Sequence, residues 1–322
     1  MNILRFKGYT PAIRWIRLLY KLCLPAGKRH YSVTFPSLSL DAAHSCVYWN
    51  RKSVGTLEPW SDFPNRGREL LIIGSGPSVI EQLDAIDKIS SMQQVDMVLL
   101  NGAATLVNDG LVSNPLAIII EDGRFVLKKF TVLQSLPGGT RLLLSASALH
   151  ALIYCDKSML QYFDVWFMDS IQFPYRQPKR PLGEVLGPDV RIDGNMGLSL
   201  NLAKGHFGCG TVMYAGIQLA FHLRSPRVLL AGFDLTNYQM PRFYETEANA
   251  AWTGVDNAYE KRILPALKLA KECALEFAME MENCSHTSIV PRNLIPFSSR
   301  LMPASWDGRF QGQGAVDTEV GK

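Results

Sequence analysis

Short apolar runs alternate with segments of helical periodicity over most of the chain. A run that is apolar along its whole length is typical of a strand in a parallel sheet covered on both faces. The runs occupy residues 70–73, 97–100, 117–120, 141–144, 227–231 and 287–290, and helical patterns occupy 78–89, 211–223 and 257–282. This alternation predicts an α/β fold with a doubly wound, Rossmann-like parallel sheet.

A basic amphipathic segment precedes this core. Trp15 and Tyr20 lie among apolar positions at helical spacing between residues 12 and 24. The first acid of the chain is Asp41, and every charged residue before it is basic: Arg5, Lys7, Arg14, Arg17, Lys21, Lys28 and Arg29. The pattern predicts an N-terminal amphipathic helix over 1–30 that lies on an anionic membrane surface. A helix packed on the neighbouring domain is the alternative.

Composition fits a globular protein and excludes several classes. The apolar fraction is 47% and the charged fraction 19%, and the net charge of +4 is too small to indicate a nucleic acid partner. Every run of consecutive apolar residues is shorter than the roughly 18 residues that a helix needs to span a membrane. We therefore predict a cytoplasmic protein, peripheral on the cytoplasmic face of the inner membrane. The predicted divisions are the helix 1–30, a linker 31–68, a Rossmann-like domain 69–303 and a flexible tail 304–322.

The first strand of the predicted sheet ends in a glycine-rich turn, Gly74-Ser75-Gly76-Pro77-Ser78. Glycines allow close approach of the backbone, and Pro77 suits the first position of a helix, whose N-terminus attracts phosphate. A tight turn without a ligand is the alternative. A nicotinamide dinucleotide is disfavoured because Val79 stands where the third glycine of that motif belongs.

Polar side chains end other strands at the same predicted edge. Asn101 and Gly102 follow the second strand, where the amide could bind nucleotide hydroxyls or simply form a turn. Glu121 and Asp122 follow the third strand, and either carboxylate could act as a base or nucleophile, unless both lie in a solvated turn. His206 stands in a loop with Gly205 and Gly208 and could bind a carboxylate or be incidental. No metal site is predicted, because the histidines form no pair with ligand spacing.

In order and spacing, these blocks resemble the bacterial sialyltransferase-like superfamily. The resemblance is carried by "LLIIGSGPSV", "VLLNGA" and "GTVMYAGIQLAFHLRSPRVLLAGFDLTN", and it extends in scattered blocks over residues 69–295. The superfamily includes sialyltransferases, transferases of 3-deoxy-D-manno-octulosonic acid (Kdo) for the lipopolysaccharide core, and motility accessory factors. The segment "NGAATLVNDGLVSNPLAIIIEDG" is most similar to the corresponding segment of the motility accessory factors. It implies a GT-A-like variant of the Rossmann sheet.

The resemblance also implies site residues and partners. Gly74, Ser75, Gly76 and Ser78 would bind the phosphate and ribose of CMP, with Pro77 in the same turn, and Asn101 would contact the donor. Gly210 and Thr211, at a helix start, would also lie near the donor. Gly232 and Asp234 would line the cytidine pocket, with Tyr238 or Tyr244 near the phosphate. The implied partners are a CMP-activated sugar donor and a glycan or lipid-linked glycan acceptor, without a cofactor.

One departure from the family pattern affects the expected mechanism. Sialyltransferases of this group have a histidine base beyond the position of Asp234, but this chain has no histidine between His222 and His286. An acidic residue, Glu121, Asp122 or Asp234, must then replace the histidine, and Glu121 or Asp122 is the predicted catalytic residue. We therefore predict transfer of a 2-keto-3-deoxy sugar acid, Kdo before a sialic-type sugar, from CMP to a cell-envelope glycan.

Two rival functions remain open at this stage. A nucleotide or pterin diphosphokinase of the motility-accessory type would use ATP and a metal held by Glu121 or Asp122. A non-catalytic binding member of the fold would retain its cellular role when both acids are replaced.

Overall fold

The computed structural model describes residues 19, 22–23, 37–236, 241–247, 258–303 and 305–306. Of the predicted N-terminal helix over 1–30, only Leu19, Leu22 and Cys23 are described, so this helix lies outside the described residues. Nearly all of the predicted tail 304–322 lies outside them too. Among the described helices, none is long and apolar enough to cross a membrane.

Seven parallel strands form the central sheet. They are β4 (Leu70–Ile73), β5 (Asp96–Leu100), β6 (Ala117–Ile120), β7 (Arg141–Leu144), β8 (Asp164–Phe167), β11 (Arg227–Ala231) and β12 (Glu280–Asn283). The order across the sheet is β12-β11-β4-β5-β6-β7-β8. The chain therefore builds from β4 in one direction and then returns to the other side of β4 with β11. This confirms the predicted α/β fold with a Rossmann-like parallel sheet.

Alternate residues of each strand enter opposite cores, because successive side chains of a strand point to opposite faces. Ile72 belongs to one core cluster and Leu71 to the other, and both are fully buried. The helices are α1 (Leu83–Met92), α2 (Thr105–Asn108), α3 (Gly123–Lys128), α4 (Phe130–Gln134), α5 (Ala146–Cys155), α6 (Met159–Tyr162), α7 (Met213–Leu223) and α8 (Leu264–Glu276). Helices α7 and α8 cover the face of Ile72, and α1, α3 and α5 cover the other.

Two of the predicted elements are wrong in position. The last strand is β12 rather than 287–290, and the long helical pattern over 257–282 ends at Glu276, before β12 begins. Strand β12 pairs with β11 and has a single bridge, between Asn283 and Phe297, on its other side, and its exposed Glu280 precedes the buried Met281. A half-exposed edge strand lacks the continuous apolar run that identifies a central strand. Strand β8 was also not among the strands predicted from the apolar runs.

The segment predicted as an irregular linker, 31–68, contains regular structure. Strands β1 (Leu38–Leu40), β2 (Cys46–Trp49) and β3 (Lys52–Thr56) form an antiparallel meander. The meander is joined to the loop after β8, because the Tyr175 hydroxyl donates to the Leu38 carbonyl oxygen at 2.6 Å. A second antiparallel pair, β9 (Val190–Asp193) and β10 (Met196–Ser199), packs against α8.

Candidate functional site

The glycine-rich turn lies where the strand order reverses, between β4 and β11. In open parallel sheets this reversal creates the crevice in which ligands bind. The Gly74 amide donates to the Ala231 carbonyl oxygen at 2.8 Å, and the Gly76 amide donates to the Gly232 carbonyl oxygen at 3.0 Å. The turn and the end of β11 are thus joined backbone to backbone.

The carboxylate of Asp234 lies at the start of the helix that follows the turn. The Ser78 amide donates to Asp234 Oδ2 at 3.0 Å, and the Thr287 hydroxyl donates to Oδ1 at 3.2 Å. Asp234 is 2% exposed, and Pro77 has no amide hydrogen to offer. The start of this helix, a 3₁₀ segment over Pro77–Gln82, is therefore occupied by the protein's own anion. The amides of Gly74, Gly76 and Ser78 are therefore bonded within the protein, and phosphate binding by this turn stays a prediction.

Ser75 and Asn101 remain available beside this turn. The Ser75 hydroxyl donates to the Leu100 carbonyl oxygen at 3.3 Å and stays partly exposed. Asn101 has a φ of 48°, the left-handed geometry that asparagine tolerates in turns, and its buried Oδ1 has no hydrogen-bond partner among the described residues. Because a buried polar atom without a partner is costly, this oxygen is suited to a ligand donor.

Tyr244 closes one side of this crevice. Its ring lies directly against Gly102, where any β-carbon would collide with the ring, and its hydroxyl accepts a hydrogen bond from Arg242 at 3.3 Å. Burial raises the pKa of Tyr244, so its hydroxyl keeps its proton at neutral pH. The alternative residue Tyr238 lies outside the described residues.

Gly210 and Thr211 lead into α7 on the other side of the crevice. Met213 of α7 lies against Gly74, with a β-carbon at Gly74 placed 3.1 Å from the Met213 methyl carbon. Gly210 has a φ of +107°, and a β-carbon at this position would lie 3.2 Å from a guanidinium nitrogen of Arg262. Arg262 is exposed and belongs to a π-helical turn over Tyr259–Ile263. Such turns are often found at functional sites. The Arg262 cation therefore lies beside Gly210 and Thr211, at the start of α7.

A pocket of about 340 Å³ opens at the carboxyl ends of β6, β7 and β8. Its lining residues are Glu121, Ser145, Ala146, Ser147, Met168, Asp169, Ser170, Phe173, Tyr175 and His206. Inside it, His206 Nε2 lies 2.7 Å from Glu121 Oε1, and the two side chains are 7% and 23% exposed. A volume of this size accommodates one sugar residue, at the lower end of ligand pockets.

The contacts of His206 require a shared proton. Its Nδ1 lies 2.8 Å from the Asp169 carbonyl oxygen, and a carbonyl only accepts, so Nδ1 carries a hydrogen. A neutral ring would then present the lone pair of Nε2 to a carboxylate oxygen. One proton must therefore lie between His206 and Glu121. Burial lowers the pKa of His206, but the hydrogen bond and charge of Glu121, together with Asp169, outweigh burial and raise it above its ordinary value of 6.5.

Asp122, the other predicted acid, has a structural role. Its carboxylate accepts from the Arg124 amide at 2.9 Å and caps α3, and it forms an ion pair with the Arg124 guanidinium at 2.8 Å. Its side chain is 40% exposed and is absent from the pocket lining. The two neighbouring acids therefore differ, and Glu121 alone faces the pocket.

Glu121 and His206 were each identified from the sequence as candidates, but nothing in the sequence indicated that they are hydrogen-bonded to each other. It also missed Tyr175 and Ser145, which line the pocket from segments without a recognisable motif. The one sequence feature that could have pointed to the pair is the position of His206 between Gly205 and Gly208. Glycine-rich loops of this kind allow the backbone to approach the end of a strand closely. No group of three or more histidine, cysteine or acidic side chains suited to a metal occurs among the described residues.

The fold and the site together define a class. An acid–base pair within a pocket at the carboxyl edge of a parallel sheet is the arrangement typical of an α/β enzyme. Residues 187–300, about a third of the chain, match the family model of 3-deoxy-D-manno-octulosonic acid transferase WaaZ. This match supports a Kdo-transferase-like glycosyltransferase of lipopolysaccharide synthesis. It includes His206, Asp234 and Arg262, whereas Glu121 precedes it. No curated protein gives a significant match.

Proposed function

We propose that this protein transfers Kdo from CMP-Kdo to a saccharide of the lipopolysaccharide core. The observation that carries the proposal is the hydrogen bond between His206, inside the segment similar to a Kdo transferase, and Glu121 in a pocket of sugar size. A sialic-type sugar on CMP is the second donor consistent with this chemistry. The sialyltransferase-like and motility-accessory resemblances remain predictions.

The donor would occupy the crevice beside the glycine-rich turn. Its single phosphate would lie between Arg262 and the start of α7, where backbone amides and the helix dipole favour an anion. The free oxygen of Asn101 would accept from a ribose or cytosine donor group. The Kdo unit would then extend along the ends of β5 and β6 towards Glu121.

The transfer exchanges one bond for another at the anomeric carbon C2 of Kdo. The bond from C2 to the phosphate oxygen breaks, and CMP leaves with the electron pair. The acceptor hydroxyl oxygen forms the new bond to C2, and its proton passes to Glu121. Positive charge develops on C2 and the ring oxygen during this exchange, and the Glu121 carboxylate stabilises it. His206 donates its shared hydrogen to Glu121 and so orients the carboxylate.

Calorimetric titration with nucleotides tests the donor site. We expect CMP to bind in preference to UMP, ADP and NAD, without Mg²⁺. Arg262→Gln should weaken CMP binding about 10- to 100-fold and leave cytidine binding unchanged, because a hydrogen bond to a charged group contributes about 1.5–3 kcal/mol. Lys261→Gln, an exposed cation of the same π-helical turn, is the matched control. Preference for ADP or NAD, or no nucleotide binding at all, would refute the donor assignment.

Attachment to the cytoplasmic face of the inner membrane remains a proposal carried by the basic N-terminal sequence. Several cations before Asp41 would each contribute about 1 kcal/mol near an anionic leaflet. Deleting residues 1–24 should abolish partition of the protein to anionic vesicles and leave CMP binding unchanged. Unchanged partition would remove the proposal.

A further inference from the structure

A loop beside the pocket carries concentrated positive charge. This rim loop, residues 172–180, contains Arg176, Lys179 and Arg180 and no acid. All three cations are exposed, and neither Lys179 nor Arg180 has a carboxylate partner among the described residues. Clustered cations attract an anion and raise its association rate.

Two of these cations lie over aromatic rings that line the pocket. Lys179 Nζ is 5.4 Å from the centre of the Phe173 ring, and the Arg176 guanidinium is 5.7 Å from the centre of the Tyr175 ring. Both rings belong to the pocket lining. Cation–π contact of this kind fixes a cation on the ring while leaving its hydrogens available. The charges therefore stand at the mouth of the pocket that contains Glu121.

The rim loop is held in place by its own backbone and by the meander. The Arg180 amide donates to the Gln172 carbonyl oxygen at 2.9 Å and closes the loop, and the Tyr175 amide donates to Asp169 Oδ1 at 2.9 Å. The Arg176 guanidinium donates to the Leu38 carbonyl oxygen at 3.1 Å. A cation on an ordered loop loses less entropy on binding than one on a free loop.

The acids of the pocket are already engaged by other groups, whereas the rim supplies the cations. Glu121 is hydrogen-bonded to His206 and Asp169 accepts from the Ser170 and Tyr175 amides, so an anionic group that approaches the pocket meets its cations at the rim loop. We propose that the rim loop binds a phosphate or carboxylate group of the acceptor saccharide while a hydroxyl of that saccharide reaches Glu121. This inference rests on the proposed function and names the acceptor as an anionic glycan.

The test compares two charge-matched double variants of the full chain. Lys179→Gln with Arg180→Gln removes the two rim cations that lack a carboxylate partner, and Lys88→Gln with Lys157→Gln removes two exposed cations elsewhere. Binding of a lipopolysaccharide core oligosaccharide is measured by calorimetry without donor, and binding of CMP is measured separately. We expect the rim variant to bind the oligosaccharide about 10- to 100-fold more weakly at low salt. Its affinity for CMP should match that of the control variant.

Treatment of the oligosaccharide separates the two anion sources. Loss of the rim effect after phosphatase treatment identifies phosphate, and loss after amidation of the carboxylates identifies the sugar acid. An equal fall in CMP affinity would assign the cations to the donor instead and overturn the inference. Absence of oligosaccharide binding by the unaltered protein would also overturn it, as would a rim effect confined to anionic vesicles without saccharide. Failure of the donor assignment appears separately, in the CMP titration.

Discussion

Replacing Glu121 with glutamine should lower kcat for Kdo transfer by about 10²- to 10⁴-fold, the range that removal of a general base produces. Glutamine keeps the shape of the side chain but can neither accept the acceptor proton nor carry the negative charge. Affinity for CMP should change by less than about threefold, because the pocket lies beyond the proposed nucleotide crevice. The measurement is initial-rate kinetics with CMP-Kdo, formed in the assay, and a core oligosaccharide.

Asp122→Asn provides the contrast at the neighbouring position. Because Asp122 lies outside the pocket lining, because asparagine also caps a helix, and because the ion pair with Arg124 is exposed, this variant should retain kcat and nearly all of its stability. If Asp122→Asn abolished transfer and Glu121→Gln did not, the assignment of the base would be wrong.

The pH dependence of kcat separates the role of His206 from that of Glu121. The raised pKa of His206 keeps the shared proton in place to a higher pH than an ordinary imidazole would, and activity should fall as the pH rises through that pKa. His206→Gln retains a donor without a titrating group, so it should keep part of the activity and lose the alkaline fall. A rate that rises with pH through the histidine range would instead mean that the unprotonated pair is the base.

Gly76→Ala should destabilise the whole domain and lower Tm by roughly 5–10 °C, equivalent to a loss of about 2–4 kcal/mol. A β-carbon at Gly76 would lie 2.7 Å from the Gly232 carbonyl oxygen and closer still to the Asp234 carboxylate. Neither group can move without breaking the joint between β4 and β11. Thermal unfolding followed by circular dichroism measures the effect.

Gly183→Ala is the control for this substitution. A β-carbon at Gly183 would have no neighbouring atom within 4 Å, and this glycine has no positive φ, so the change should leave Tm within about 1–2 °C. A Gly76→Ala variant with unchanged Tm but lost CMP binding would restore the interpretation of the turn as a phosphate loop.

The central sheet could be predicted from sequence because burial on both faces leaves a continuous apolar run. Leu70–Ile73 are all fully buried, and β6 has the same character. Strand β12 could not be identified in this way, since an edge strand with alternating exposure has the composition of a loop. Local pattern therefore identifies a strand only where both of its neighbours are present.

The site was predictable only in part, for a related reason. The rule that ligands bind at strand ends led to Glu121, but its partner His206 is 85 residues away and no spacing connects them. The glycine-rich turn had the local features of a phosphate site. Its anion is Asp234, 156 residues beyond Ser78. A local motif indicates that a helix start is suited to an anion. It does not indicate whether that anion is a ligand or a carboxylate from elsewhere in the protein.

The hydrogen bonds between the meander and the rim loop indicate which part of the chain is required for an intact pocket. Both Tyr175, which lines the pocket, and Arg176, which lies at its mouth, donate hydrogen bonds to the Leu38 carbonyl oxygen. A protein shortened to start at residue 69 would retain every strand of the parallel sheet and lose this support. The boundary that the apolar pattern suggests therefore separates a complete sheet from an incomplete pocket, because the strand before the sheet supports two residues beside that pocket.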